Sequence, residues 1–318
     1  MRKFVIAGAL ALAASAACAQ DDYPNRPVEI VVPFAAAGGT DLIARVLADR
    51  LSEQLGKRFI VINRPGASTN IGTAVVVNAA ADGYTLLLTS ISLAANPALY
   101  RKLPFAPQRD LAPIALIANS PSILVVTPSL PVNSVAELVA HMKAHPGELN
   151  YASYGAGSGP HLAAGLFQDI TGTTMQHVPY SGGGPATLAV LRGEVQVYLA
   201  GSLAVGAQIQ SGGVKPLAIA ADKRTPSLPN LPTFREQGID FVTGTWFGLL
   251  APAKTPPAIV ALLNREVQAA LRSDMVKARI AEQGSDVVGG TAEDFARFLK
   301  EETERLSAVI RRANIHMD

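Results

Sequence analysis

The chain has 318 residues, 49% hydrophobic and 16% charged, a composition that excludes a disordered polymer and suffices for two domains with full cores. The formal net charge is only +2, with no basic stripe and no evident aromatic platform, so nucleic acid is not an expected partner.

Residues 1–19 have the pattern of a secretory signal: Arg2 and Lys3, an apolar stretch from Phe4 to Ala14, and the small residues Ala17-Cys18-Ala19 before Gln20. Removing them leaves 25 basic against 25 acidic residues, so the positive charge belongs to the export segment. Cys18, the single cysteine, reads as a small residue of that signal. The alternative is a lipidated mature N-terminus, but Ser15 stands where that motif usually takes Leu. No later stretch has the length and apolarity of a membrane span.

Val28–Val32 is strand-like and runs into the turn Pro33-Phe34-Ala35-Ala36-Ala37-Gly38-Gly39-Thr40-Asp41. A helix from about Asp41 to Leu55 follows, with Leu42, Ile43, Val46, Leu47, Leu51 and Leu55 on one face and Gly56 as its stop. Phe59–Ile62 predicts a strand, Ile71–Ala81 a helix, and Tyr84–Leu88 a strand after the Asp82-Gly83 turn. This order implies a parallel sheet covered on both faces.

The pattern restarts near residue 120. Ile123–Thr127 predicts a strand, and Ser134-Val135-Ala136-Glu137 is a capping box that opens a helix closed by Pro146-Gly147. Tyr151-Ala152 leads into a second glycine turn, Ser153 to His161, and a helix from His161 to Ile170. Gln176–Val178, Val195–Leu199 and Leu217–Ala220 predict short strands, and Leu188–Leu191 lies in a helix ending at Gly193. Residues 222–233 carry three prolines and predict a loop. Phe247–Ala251 predicts a late strand, Pro256-Pro257 a helix start running to about Arg272, and Thr291 the start of the last helix.

Glycine turns between strand and helix aim unpaired N–H groups at a helix start, which attracts anions. Two such turns, far apart in one chain, predict a ligand gripped from both sides. Neither contains Arg or Lys, so the N–H dipoles themselves must neutralise the anion. The expected architecture is α/β and two-lobed: lobe 1 from residues 20–121 plus 244–318, lobe 2 from 122–243. The two crossings, near Ser120 and Thr243, form the expected hinge.

The first ligand-binding set is Phe34, Ala35, Gly38, Gly39 and Thr40; the facing set is Ser153, Gly155, Gly157 and Ser158. Thr89 and Ser90 follow a strand at the end where ligands sit, and either contact ligand or cap the loop. Ser68 sits in a further turn, Tyr180 and Gly183 in a third glycine turn, and Ser202 after the Val195–Leu199 strand. His161 either touches ligand or locks its turn, and is expected neutral because a helix N-terminus disfavours imidazolium. Val at Gly39 or at Gly157 is expected to weaken binding with little loss of fold. Trp246 is expected in core or hinge packing. His141 and His145, four apart, lack a third ligand, so neither metal nor cofactor is expected. A secreted hydrolase using Ser158 and His161 is the enzyme alternative, but Gly157-Ser158-Gly159 lacks nucleophile-elbow spacing.

These blocks resemble the Bug receptors, the periplasmic substrate-binding proteins of tripartite tricarboxylate transporters. The resemblance rests on Pro33-Phe34 with Gly38-Gly39-Thr40-Asp41 and Ala44-Arg45; on Asn63-Arg64-Pro65-Gly66-Ala67 and Asn70-Ile71-Gly72; and on Asp82-Gly83-Tyr84. It continues through Asn96-Pro97, the turn from Tyr151 to Leu162, and Val178-Pro179-Tyr180 before Gly182-Gly183-Gly184-Pro185-Ala186. Departures are Ala35-Ala36-Ala37 in the first loop and Ser68-Thr69 where relatives commonly carry glycine. The resemblance implies a type 2 periplasmic-binding fold, with two mixed sheets flanked by helices and a cleft between lobes. It also implies a monomer, with a dicarboxylate, tricarboxylate or acidic amino acid as ligand. Transporter membrane subunits, or a membrane signalling protein served by a sensor, would be the partners.

Overall fold

The computed structural model describes residues 23–36, 38–155, 157–225 and 228–312. The expected signal segment and Cys18 lie outside the described residues. Strands and helices alternate first as β1 (Val28–Val32), α1 (Gly39–Leu55), β2 (Phe59–Asn63), α2 (Asn70–Val77), β3 (Thr85–Ser90), α3 (Ser92–Leu99) and α4 (Pro107–Asp110). A long strand β4 (Leu111–Val126) leads to α5 (Val135–Ala144), β5 (Asn150–Ser153), α6 (Gly159–Thr171), β6 (Gln176–Pro179), α7 (Gly183–Leu191), β7 (Val197–Gly201), α8 (Ser202–Gln210) and β8 (Lys215–Ile219). The chain returns through β9 (Gly244–Pro252) and ends with α9 (Pro257–Arg272), α10 (Asp274–Glu282), β10 (Asp286–Val287) and α11 (Ala292–Arg312).

The fold is mixed α/β with two sheets. In the first, β2, β1 and β3 are parallel, and β9 and β4 continue antiparallel beside β3, with β10 on β4. In the second, β6, β5 and β7 are parallel, and β4 pairs antiparallel with both β7 and β8. Strand β4 therefore serves both sheets: residues 111–121 pair with β9, and residues 122–126 with β7 and β8. Where it changes sheet, Pro121 lies opposite Gly244, and the Ser122 N–H donates to Thr243 O at 3.0 Å.

Strand alternation divides the core cleanly. Ile30 and Val32 face α1 and α9, whereas Val31 and Leu87 face α3 and α11. The second sheet repeats this: Leu124 and Val126 pack with α5 and α6, Ile123 and Val125 with α7 and α8. The final helix touches both cores. Phe295, Leu299 and Leu306 seat on the first sheet, Val309 joins the second core, and Arg312 bonds Asp169 of α6 at 2.6 Å.

Local signals behave as their chemistry requires. Ser134 Oγ accepts from the Glu137 N–H (3.1 Å), and Glu137 reaches back to the Asn133 N–H (2.7 Å). Gly56 ends α1 in the left-handed region at φ 66°. The structure also departs from the sequence pattern. The predicted strand at 123–127 is the second half of β4, and the predicted helix over 71–81 ends at Val77. Helices α3, α8 and α10 carry no distinct capping signal.

Trp246 on β9 is 1% exposed and packs edge-on against Phe295 and Phe298 of α11. Beside it Gly248 lets α11 approach: an added Cβ would lie 2.1 Å from Phe295 Cζ. Gly248→Ala is expected to destabilise the protein by about 1–3 kcal/mol through overpacking, measured by urea unfolding.

Candidate functional site

Six of the strands, β1, β2 and β3 on one side and β5, β6 and β7 on the other, run directly into helices. Their carboxyl ends face a cleft of about 1020 Å³ between the two sheets. Residues at the starts of α1, α2, α3, α6, α7 and α8 all line it: Gly39, Thr69, Ser92, Gly159, Gly183 and Leu203. None of these six helices has a side-chain cap. Of the helices that begin elsewhere, α5 is capped by Ser134, and at α11 Thr291 Oγ1 accepts from the Asp294 N–H at 3.0 Å, whereas α4, α9 and α10 also lack a side-chain cap. First-turn N–H groups at the cleft are thus left for a ligand, with three helix dipoles contributed from each side.

Among the described residues, no lining side chain is Asp, Glu, Lys, Arg or His. Hydroxyls of Thr40, Ser68, Thr69, Ser90, Ser92, Ser120, Ser158, Thr187 and Thr245 supply further polar groups, between apolar walls from Phe34, Ile91, Leu188, Leu203 and Phe247. The walls approach closely. A Cβ added at Gly39 would lie 3.9 Å from Leu203 Cδ2, and one at Gly159 would lie 3.0 Å from Thr245 Oγ1.

The first turn is held from behind. Asn63 donates to Phe34 O (3.1 Å) and to Asp41 Oδ1 (2.9 Å), and Arg45 pairs with both Asp41 oxygens at 3.0 Å. Asp41 is 1% exposed and sits in the first turn of α1, where the dipole favours its charge. The neighbouring turn is strained: Ala67, Ser68 and Thr69 all have positive φ, at 45°, 47° and 80°. Buried Asn96 pins it by donating to Ser68 O and Asn70 Oδ1, each at 2.7 Å.

The second turn rests on two imidazoles, His161 buried and His177 half-buried. The Gly157 N–H donates to His161 Nδ1 at 3.0 Å, and the His161 and His177 rings stack at 4.1 Å and 3°. His177 Nε2 lies 2.6 Å from Ser153 Oγ, which accepts from the Gly155 N–H at 3.0 Å. Burial, and then the neighbouring His177, push His161 down to about 4; burial also lowers His177. Both rings are neutral at pH 7, and His161 carries its proton on Nε2.

Of the residues singled out in the sequence, Phe34, Ala35, Gly38, Gly39, Thr40, Ser68, Ser90, Gly157, Ser158 and Gly183 line the cleft. Thr89, Ser153, Gly155, His161, Tyr180 and Ser202 lie outside its lining. Thr89 points to the opposite face of β3 from Ser90. Ser153 and His161 are buried behind the turn they brace, and Gly155 bonds back to Ser153. Tyr180 packs against the second core, and Ser202 against Gly284. Sequence reasoning missed Ser120, Thr245 and Gln283, which approach the cleft from the crossing strands and the end of α10. Only the predicted crossings hinted at the first two. Leu188 lay in a predicted helix whose cleft face had no periodic signature.

Gly157 has φ 74°, so Val there would strain the turn as well as block the cleft. Gly39 carries no such constraint, which makes it the cleaner probe. The Ser158 hydroxyl donates to Gly155 O at 2.6 Å, and His161 Nδ1 is occupied by Gly157. The two groups that a hydrolase would pair are each engaged with backbone instead.

A family model described as the tripartite tricarboxylate transporter family receptor matches residues 43–315. The chain belongs to this family. Protein BugT of Bordetella pertussis is 40% identical over 294 residues, spanning 92% of this chain and 90% of that protein. An adipate-bound family structure from R. palustris superposes with a TM-score of 0.81 at 38% identity, covering 93% of this chain and all of that one. Malate-bound MatC from Rhodopseudomonas palustris gives 0.77 at 33% identity, covering 91% of this chain and all of that one. The receptor-family fold is thus the two-lobed α/β arrangement described above, and no helix among the described residues is long and apolar enough to cross a membrane.

The histidine stack predicts acid lability. Unfolded His161 titrates near its ordinary 6.5, whereas the folded ring accepts a proton only near 4. The unfolded state therefore binds more protons between these values, and stability falls as pH drops from about 6.5 toward 4. The loss is on the order of 3 kcal/mol. Unfolding of wild type and His161→Gln followed from pH 7 to 4 should show a shallower fall in the variant.

Proposed function

We propose that this protein is a periplasmic solute-binding receptor that captures a small carboxylate for tripartite tricarboxylate-type uptake. The observation that carries this reading is the convergence of six helix starts without side-chain caps on a cleft whose described lining has no charged side chain. Such a site neutralises an anion through backbone N–H groups and helix dipoles, aided by hydroxyls and bridging water. Adipate and malate in the related structures support a carboxylate as the ligand class.

Binding works by bridging. A carboxylate at Gly38, Gly39 and Thr40 engages the first lobe, and contacts at Gly157, Ser158 and Gly183 engage the second. Residues 20–121 with 244–318, and residues 122–243, move as the two lobes, flexing where Pro121 meets Gly244. Closure then presents a joined surface to the membrane subunits. The chain binds rather than turns over its ligand, in keeping with a family of receptors and with the backbone-engaged Ser158 and His161.

The mature protein, refolded to strip bound ligand, should show a dose-dependent rise in melting temperature with a di- or tricarboxylate. At a hundredfold excess over Kd the gain is about 2.7 kcal/mol. Gly39→Val should weaken binding about tenfold or more, the value of one charge-assisted hydrogen bond, with an almost unchanged ligand-free melting temperature. Unaltered affinity would remove the first turn from the site.

A further inference from the structure

The second glycine turn spends most of its N–H groups on itself. The Gly155 N–H donates to Ser153 Oγ at 3.0 Å, the Gly157 N–H to His161 Nδ1 at 3.0 Å, and the Ser158 N–H to Gly155 O at 3.2 Å. Pro160 has no N–H, and the Leu162 N–H closes onto Ser158 O at 3.0 Å. At the start of α6 the Gly159 and His161 N–H groups remain, with no partner among the described residues.

Two stacked rings impose this pattern. His161 Nδ1 accepts from Gly157, which requires a neutral ring protonated on Nε2. The His177 ring lies parallel to it at 4.1 Å, and Tyr151 stacks on His177 at 5.1 Å, so β5 and β6 hold both imidazoles in place. His177 Nε2 meets Ser153 Oγ at 2.6 Å, and Ser153 receives the Gly155 N–H. Both glycines of the turn therefore end on the same pair of rings. Their φ values, 114° at Gly155 and 74° at Gly157, are among many that glycine can take, and the two bonds select them. Gly157 and Ser158 then line the cleft with their N–H groups already engaged, whereas Gly159 lines it with its N–H unspent.

On the receptor reading above, we propose that His161 is a positioning residue for ligand binding. Its Nδ1 draws the Gly157 N–H behind the turn and leaves the Gly159 and His161 N–H groups as the donors that this turn offers the ligand anion. The imidazole lies outside the cleft lining and acts only through Gly157.

The test is titration calorimetry with adipate and with malate on the refolded mature protein, His161→Asn and His161→Leu, with amide spectra of each ¹⁵N-labelled form. Asparagine places Oδ1 where Nδ1 accepts, whereas leucine fills the space without an acceptor. His161→Asn should bind within about threefold of wild type, and His161→Leu about tenfold or more weaker, the worth of one hydrogen bond. In wild type and His161→Asn, ligand should move the Gly159 amide proton downfield and leave that of Gly157 in place. Wild-type affinity in His161→Leu overturns the assignment. Equal weakening in both variants also overturns it, because ring packing rather than the acceptor would then hold the turn. Should His161→Leu fail to fold, wild type decides alone: a Gly157 amide that shifts downfield with ligand is itself the donor and overturns the assignment, and one that stays while Gly159 shifts supports it. No affinity of wild type for either acid overturns the receptor reading and this assignment with it.

Discussion

The constraint on which the structure depends is the convergence of helix first turns without side-chain caps on one cleft, the feature on which the proposed anion binding rests. Holding an anion without a cationic side chain takes several helix starts aimed at one space. Parallel strands supply them, because each strand ends where its helix begins. Two parallel segments, β1 to β3 and β5 to β7, must then face each other by their carboxyl ends. The long strand β4 and the returning β9 are the connections that make this geometry available. Leaving six starts uncapped sacrifices stability, at about 0.5–2 kcal/mol for each missing cap. The extensive two-faced cores of both sheets offset it.

The joint between the sheets follows from small residues. A Cβ on Gly244 would lie 2.4 Å from Ser120 O, and one on Gly201 would lie 2.8 Å from Ser120 Oγ. Ser120 itself donates to Gly284 O at 2.9 Å, and Gly284 abuts Ser202 and Leu203. Strand, crossing and cleft wall thus meet at one compact node. A shift there is coupled to α8 and so to Leu203. The end of α11, joined to α6 through Arg312 and Asp169, ties the lobes a second time on the far side.

Much of this was legible in the sequence, because glycine turns, the Ser134 capping box and Gly56 act through local chemistry. The full extent of β4 was not. Pro113 and Pro121 interrupt its donor pattern, and register shifts follow at Pro113 and Leu116, so its first half lacks strand periodicity. Helices α3 and α8 begin without a side-chain cap, so the signal that marks a helix start is missing there. The sequence also could not separate Ser90 from Thr89, or Ser158 from Ser153. Strand alternation decides the first pair, and burial decides the second. His177 left no signal, since its role is to stack under His161 from a neighbouring strand.

The central claim is tested most directly by titrating the ¹⁵N-labelled protein with adipate and following backbone amide resonances. Direct N–H to carboxylate bonding predicts downfield proton shifts at the first turns of helices from both lobes, at Gly39 and Thr40 and at Gly159 and Gly183. Saturable binding with those amides unmoved, or moved in one lobe only, would contradict an anion held between opposed helix starts.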